Sequence, residues 1–189
     1  MVLPQAEARL TVVYVHGFYT NVDDAWADHR LADQLAGDGL FLIAPEAPSG
    51  PGEDVAWPDL DSLLAEVESR AGVAVPQTVI AIGHSGAYRT VSQWTASRRL
   101  ASVALLDAFY GAPQTWDHWL ARDPAHQLYV LARHTAERSK DFCARHAGRV
   151  TCEASKWSHM GIVTKGEALP RVVLRLVAHS VVAEAPYDV

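Results

Sequence analysis

Two cysteines in 189 residues, Cys143 and Cys152, are too few for the disulfide framework that staples small secreted domains. Buried free cysteine is common, so free thiols are expected at both positions, with a single bridge open to them in an oxidising compartment. Basic charge is scarce as well: 16 Lys and Arg face 22 Asp and Glu, a net charge of −6. That balance offers no positive surface for nucleic acid or anionic lipid. No apolar run approaches the roughly 20 residues of a membrane-spanning helix. The opening "MVLPQAEARL" has neither the basic region nor the apolar core of a signal peptide. This points to the cytoplasm, although a leader already removed would leave the same sequence. The histidines at 29, 118, 126, 134, 146 and 179 show no paired spacing of the H-E-x-x-H kind, so no metal site is expected. Internal repeats and low-complexity tracts are absent too.

What is present is a regular alternation. Apolar runs occur at Leu10–Val15, Leu40–Ala44, Thr78–Ile82, Ser102–Leu106, Gln127–Ala132 and Arg149–Cys152. Several are continuous, which suits strands covered on both faces. Helical patterns fill the intervals: Trp26–Ala36, stopped by "GDG", then Asp59–Arg70, Ala87–Leu100 and Leu169–Val182. Strand alternating with helix predicts one α/β domain over residues 1–189. Its core is a doubly wound, mostly parallel sheet of about six strands with helices on both faces. The Pro- and Gly-rich segment 44–58 follows a strand and is read as a loop at the carboxyl edge of the sheet.

Ligands gather at that edge in open α/β sheets, so the residues that leave each strand carry the functional information. After the first strand comes His16-Gly17-Phe18-Tyr19, and after the third Gly83-His84-Ser85-Gly86-Ala87. Asp107-Ala108-Phe109-Tyr110-Gly111 follows the fourth strand, and Arg133-His134-Thr135-Ala136-Glu137 the fifth. Lys156-Trp157-Ser158-His159-Met160-Gly161 follows the sixth. A serine between small residues at the end of a buried strand is either a plain strand-to-helix turn or a nucleophile elbow. The chain order serine, acid, histidine favours the elbow.

These motifs resemble the α/β-hydrolase superfamily, in particular its small capless serine hydrolases, and the resemblance runs from His16 to the last helix. It implies a serine hydrolase that cleaves a carboxylic ester of a small molecule without a cofactor. Ser85 is the nucleophile, His159 the base and Asp107 the acid that orients the imidazole. Glu137, after the next strand, is the alternative acid. The oxyanion hole would be the backbone N–H groups of Gly86 and Phe18, with Tyr19 as the alternative to Phe18. His16 is read as a structural part of the His-Gly turn, and His84 as packing or capping. With no room for a large cap, the site would be shallow, walled by Phe18, Tyr19 and Tyr110 and by one of Trp116 and Trp119. Two strands of larger members would be missing before Leu10. Two other readings stay open: an amidase or peptidase that uses Glu137, and a silent binding protein of the same fold. Oligomeric state is not legible in the sequence.

Overall fold

The computed structural model describes all residues except 5, 6, 36, 38 and 184–189, and describes residues 179–183 by their backbone only. Seven strands form one sheet: β1 (Val2–Leu3), β2 (Leu10–Val15), β3 (Leu40–Ile43), β4 (Thr78–His84), β5 (Leu100–Leu106), β6 (Gln127–Ala132) and β7 (Val150–Ala154). Their order is β1-β3-β2-β4-β5-β6-β7. Every pair is parallel except β1 with β3. The doubly wound expectation of about six strands therefore gains one short antiparallel edge strand, too brief to show as an apolar run.

The continuous apolar runs reflect burial on both faces. Successive residues of a strand point to opposite sides. Val13 and Val15 accordingly enter one core cluster while Val12 and Tyr14 enter the other, and the same split separates Val79 and Ala81 from Ile80 and Ile82. The first cluster lies under helices α3 (Leu60–Ala71), α5 (Pro113–Arg122) and α6 (Ala136–Arg145). The second lies under α2 (Leu31–Leu35), α7 (Gly161–Thr164) and α8 (Ala168–Ala183). Helix α3 starts at Asp59, whose carboxylate accepts from the Ser62 N–H (2.7 Å), and stops at Gly72 in the left-handed conformation.

Two helices differ from expectation. The segment expected as one helix over Trp26–Ala36 is two, α1 (Val22–Asp28) and α2, because Arg30 takes φ +47° between them; Ala36 lies outside the described residues. The segment expected as a helix over Ala87–Leu100 is a 3₁₀ turn at Ser85–Ala87, one α turn (α4, Tyr88–Val91) and a second 3₁₀ turn at Gln93–Ala96. Side-chain hydroxyls explain the break. Thr95 Oγ1 donates to the Ser92 carbonyl (2.8 Å), and Ser97 Oγ donates to Asp61 (2.9 Å). The first is a local alternative to the helical ladder, as is the Ser97 hydroxyl's acceptance of the Arg99 N–H (3.1 Å), while the bond to Asp61 ties the segment to α3.

The cysteines also correct the sequence reading: Cys143 on α6 and Cys152 on β7 form a disulfide. A short turn returns the chain from α6 into the neighbouring strand. Two residues nine positions apart are thereby brought to a Cα separation of 6.1 Å, within bridging range. Among the described residues no helix is long and apolar enough to cross a membrane.

Candidate active site

The sheet order changes direction between β2 and β4, because β3 lies on the far side of β2. At such a switch point the strand ends leave a crevice. Parallel register then aligns the residues that leave each strand. Val15 pairs with Gly83, His84 with Leu106, Leu106 with Leu131, and Ala132 with Ala154. Gly17, Ser85, Asp107 and His134 are thus brought to one edge, although they come from four distant parts of the chain.

Ser85 sits on the sharp turn that ends β4, with φ +54°. A non-glycine residue there costs about 1–2 kcal/mol, and such strain persists only where its surroundings impose it. Those surroundings are close. A Cβ on Gly17 would lie 2.7 Å from the Ser85 Cβ, and a Cβ on Gly86 would lie 2.6 Å from the Phe18 ring. A Cβ on Gly83 would come within 3.3 Å of Ala87 Cβ and 3.2 Å of Val91. The small residues around the serine are therefore a packing requirement. Alanine at 87 satisfies it, and a side chain at 83 would fit only if Val91 and Ala87 gave way by a few tenths of an ångström.

Asp107 is also strained, with φ +47°, and its side chain is fully buried. Its Oδ1 accepts from the Arg133 N–H (2.9 Å), the Thr135 N–H (2.9 Å) and the Thr135 hydroxyl (3.0 Å). Its Oδ2 accepts from His159 Nδ1–H at 2.7 Å. Burial alone would raise the carboxyl pKa. The hydrogen bonds from His159, Thr135, Arg133 and His134 outweigh it and hold the group well below the ordinary aspartate range. Asp107 is an anion in the fold, and it fixes the proton of His159 on Nδ1. The other ring nitrogen, Nε2, keeps its lone pair. Among the described residues no hydrogen bond joins the Ser85 hydroxyl to His159, yet both line one cavity of about 520 Å³. Glu137, the alternative acid, lies in the first turn of α6 with its side chain 88% exposed, beside Lys140 at 3.7 Å.

The turn after β2 is braced from outside. His16 accepts the Ala47 N–H on Nε2 (3.2 Å) and donates from Nδ1 to the Gly17 carbonyl (2.8 Å). The Tyr19 N–H donates to the Ser49 carbonyl (2.8 Å). That bond occupies the Tyr19 amide and leaves the Phe18 N–H as the candidate oxyanion donor on this side. Gly86 N–H opens the helical segment after Ser85, where the first amides have no partner within the helix. The loop 44–58 supplies the bracing, held in turn by Arg89, which donates to the carbonyls of Pro51 (2.7 Å) and Glu53 (3.0 Å).

Of the expected wall residues, Phe18, Tyr19 and Tyr110 line the cavity, Tyr19 with 88% of its surface exposed. The tryptophans do not. Trp116 and Trp119 lie on α5 and are fully buried in the core, because the apolar stripe of this amphipathic helix faces the sheet. Tyr88 and Met160 also line the cavity.

Three more histidines lie around His159 or on the cavity; the sequence reading gives His84 its packing or capping role and gives His134 and His29 none. His84 donates from Nε2 to the His159 carbonyl (3.1 Å), and its ring lies 4.6 Å from that of His159. His134, directly after β6, stacks on His159 at 5.3 Å with its Nδ1 3.7 Å from Asp107. Both leave strands at the carboxyl edge, and that position was the available signal. His29 closes α1 and had no such signal; it reaches the cavity only through the fold. The donor atoms of Asp107, His134 and His159 lie within 4.8 Å of one another and could hold a metal ion. Sequence spacing could not reveal this group, since its members come from three elements.

Burial dominates the titration of two of these rings. It lowers His84 to about 3, with His159 and His29 adding to the effect, and lowers His29 to about 4. Both are neutral in the fold and would charge near 6.5 when unfolded. Between those values the unfolded chain binds more protons, so stability rises with pH. Each ring contributes about 1.4 kcal/mol per pH unit across its window. Thermal unfolding followed by circular dichroism should show Tm falling steeply from pH 6.5 to pH 4. His84→Asn should flatten the curve, and a slope unchanged by that substitution would rule the account out.

No family model and no curated protein sequence matches this chain. Solved structures do. A ferulic acid esterase superposes with a TM-score of 0.65 at 13% identity, covering 92% of this chain and 86% of its own. Fluorophosphonate-binding serine hydrolase F of Staphylococcus aureus gives 0.63 at 12% identity, with the same 92% and 86% coverage. Esterase PE8 gives 0.59 at 18% identity, covering 93% and 96%. The chain has the α/β-hydrolase fold.

Proposed function

We propose that this protein is a serine hydrolase that cleaves a carboxylic ester of a small molecule through an acyl-enzyme. One observation carries the reading. A buried, anionic Asp107 holds His159 in the tautomer whose free nitrogen is basic, in the same cavity as a strained serine. Each part has a chemical use. A serine hydroxyl is a weak nucleophile and needs a base as it attacks. The Ser85 proton passes to His159 Nε2 while Oγ bonds to the ester carbonyl carbon. The negative charge that develops on the carbonyl oxygen is met by the N–H groups of Phe18 and Gly86, each worth roughly 3 kcal/mol in such sites. Asp107 stabilises the imidazolium without taking its proton. His159 then protonates the departing alkoxide and the alcohol leaves. A water deprotonated by the same nitrogen attacks the acyl carbon, the bond to Ser85 Oγ breaks, and Oγ takes the proton back from His159 as the acid is released. No hydrogen bond joins Ser85 to His159 among the described residues, and catalytic hydrogen bonds of this kind often form only in the substrate complex. The solved structures named esterase and serine hydrolase share the fold, which is consistent with the chemistry and does not by itself assign it.

The test is covalent labelling. A fluorophosphonate probe should modify the folded protein stoichiometrically, with the adduct on Ser85 when located by peptide mass spectrometry. Absence of labelling under conditions that label a control hydrolase would leave the chain as a binding protein of this fold.

A further inference from the structure

The catalytic cavity has a polar inner wall that the ester chemistry does not require. His29 is 1% exposed, yet it lines the cavity with Ser85 and His159. Its Nδ1 lies 2.8 Å from the hydroxyl of Tyr14, itself buried on β2. Among the described residues that hydroxyl has no other hydrogen-bond partner, so the direction of the bond is decided by cost. Were Tyr14 to accept from Nδ1–H, its own O–H would be orphaned in the core, at about 1–3 kcal/mol. Tyr14 therefore donates to Nδ1, and the ring proton sits on Nε2. Nε2 lies on the ring edge remote from Tyr14. It bonds to no described residue, and it is not among the fully buried unpartnered atoms. Since His29 lines the cavity and its Nδ1 is taken by Tyr14, Nε2 is the ring nitrogen left to face a ligand there.

We infer that His29 is a substrate-binding residue, whose Nε2–H is a fixed, neutral donor for an uncharged acceptor oxygen carried by the substrate near its scissile carbonyl. In taking that substrate to be an ester, the inference rests on the function proposed above. Its ring lies 5.9 Å from that of His84, the neighbour of the nucleophile, so the anchored oxygen belongs close to the reacting centre. A buried Tyr–His pair is a poor device for stability alone, since apolar residues of the same shape fill such space without a desolvation penalty. Burial keeps His29 neutral at neutral pH, and a neutral donor suits an ether, keto or hydroxyl oxygen better than a carboxylate.

The experiment uses isosteric pairs. Methoxyacetate against butyrate p-nitrophenyl esters place the oxygen in the acyl part. The 2-methoxyethyl and butyl esters of butyric acid place it in the alcohol part. The ratio of kcat/KM within a pair is compared between parent and variant, so intrinsic reactivity and any common loss cancel. His29→Phe should lower the oxygen preference about 10-fold or more in one arm, and His29→Gln, which keeps an N–H donor, should restore part of it. An unchanged ratio in both arms overturns the inference.

Imidazole ¹⁵N spectra of otherwise unaltered His29 in the Ser85→Ala protein give a readout free of catalysis and of folding failure at position 29. Nε2 should be the protonated nitrogen, and it should respond to the oxygenated ester and not to its carbon isostere. A proton on Nδ1, or equal response to both, overturns the inference. A positive spectrum without fluorophosphonate labelling would instead sink the hydrolase reading and keep His29 as a ligand anchor.

Discussion

Ser85→Ala should leave the fold in place and remove ester hydrolysis together with fluorophosphonate labelling. Knock-out of a serine nucleophile costs on the order of 10⁶ in kcat where it has been isolated from the rest of the machinery. Folding should survive because alanine fits within the space of serine, and because Ser85 Oγ makes no hydrogen bond among the described residues that the fold would miss. The strain gives a second readout. At φ +54° both serine and alanine pay the left-handed penalty, whereas glycine does not. Ser85→Gly avoids a cost of about 1–2 kcal/mol and loses about 0.4–1 kcal/mol through the freer unfolded chain. It should melt above Ser85→Ala, by a few degrees in a domain of this size. Such an inactive and more stable variant would show that the turn is held against its own conformational preference for the sake of the hydroxyl. Full labelling of Ser85→Ala would end the nucleophile assignment, and a lower Tm for the glycine variant would end the strain argument.

Asp107→Asn should lower kcat by several orders of magnitude, on the order of 10⁴ by analogy with the serine-protease triad, while the protein stays folded. Asparagine tolerates positive φ as well as any non-glycine residue, so φ +47° at this position is no obstacle. Its carbonyl can still accept from Thr135 and Arg133. The loss lies on the other oxygen. An amide NH₂ in place of Oδ2 faces His159 Nδ1 as a donor, which drives the ring proton to Nε2 and removes the lone pair that Ser85 needs. The imidazolium also loses the anion that stabilises it. Glu137→Gln should change kcat only a few-fold, because that carboxylate is solvated beside Lys140 and exposed pairs are worth little. A large loss at Glu137 with a small one at Asp107 would move the acid to the later strand and leave the Ser85–His159 assignment standing.

Local chemistry made much of this molecule legible before any coordinates. Leu10–Val15 and Gln127–Ala132 read as strands with the observed ends because a strand buried on both faces needs an unbroken apolar run. The small residues around Ser85 read as an elbow because only small side chains fit between it, Gly17 and the helix that follows. Those signals lie in adjacent residues, and adjacency is what a sequence states directly. Everything that depended on register between distant segments was left to the fold. Its place at the strand end favours Asp107 over Glu137 as the acid, and only the fold brings its Oδ2 to 2.7 Å from His159 Nδ1 with the other oxygen held by Thr135. The place after the His-Gly turn favours Phe18 over Tyr19 as a donor, and only the fold shows the Tyr19 amide bonded to Ser49, from a loop thirty residues on. Cys143 and Cys152 read as thiols because nothing in their spacing says that α6 turns straight back into β7. His29 gave no sign at all, since its place in the cavity beside Ser85 and His159 comes from the fold and from a hydrogen bond to a tyrosine on another element. Periodicity and steric size are encoded residue by residue. The meeting of particular polar atoms is decided only when the strands align.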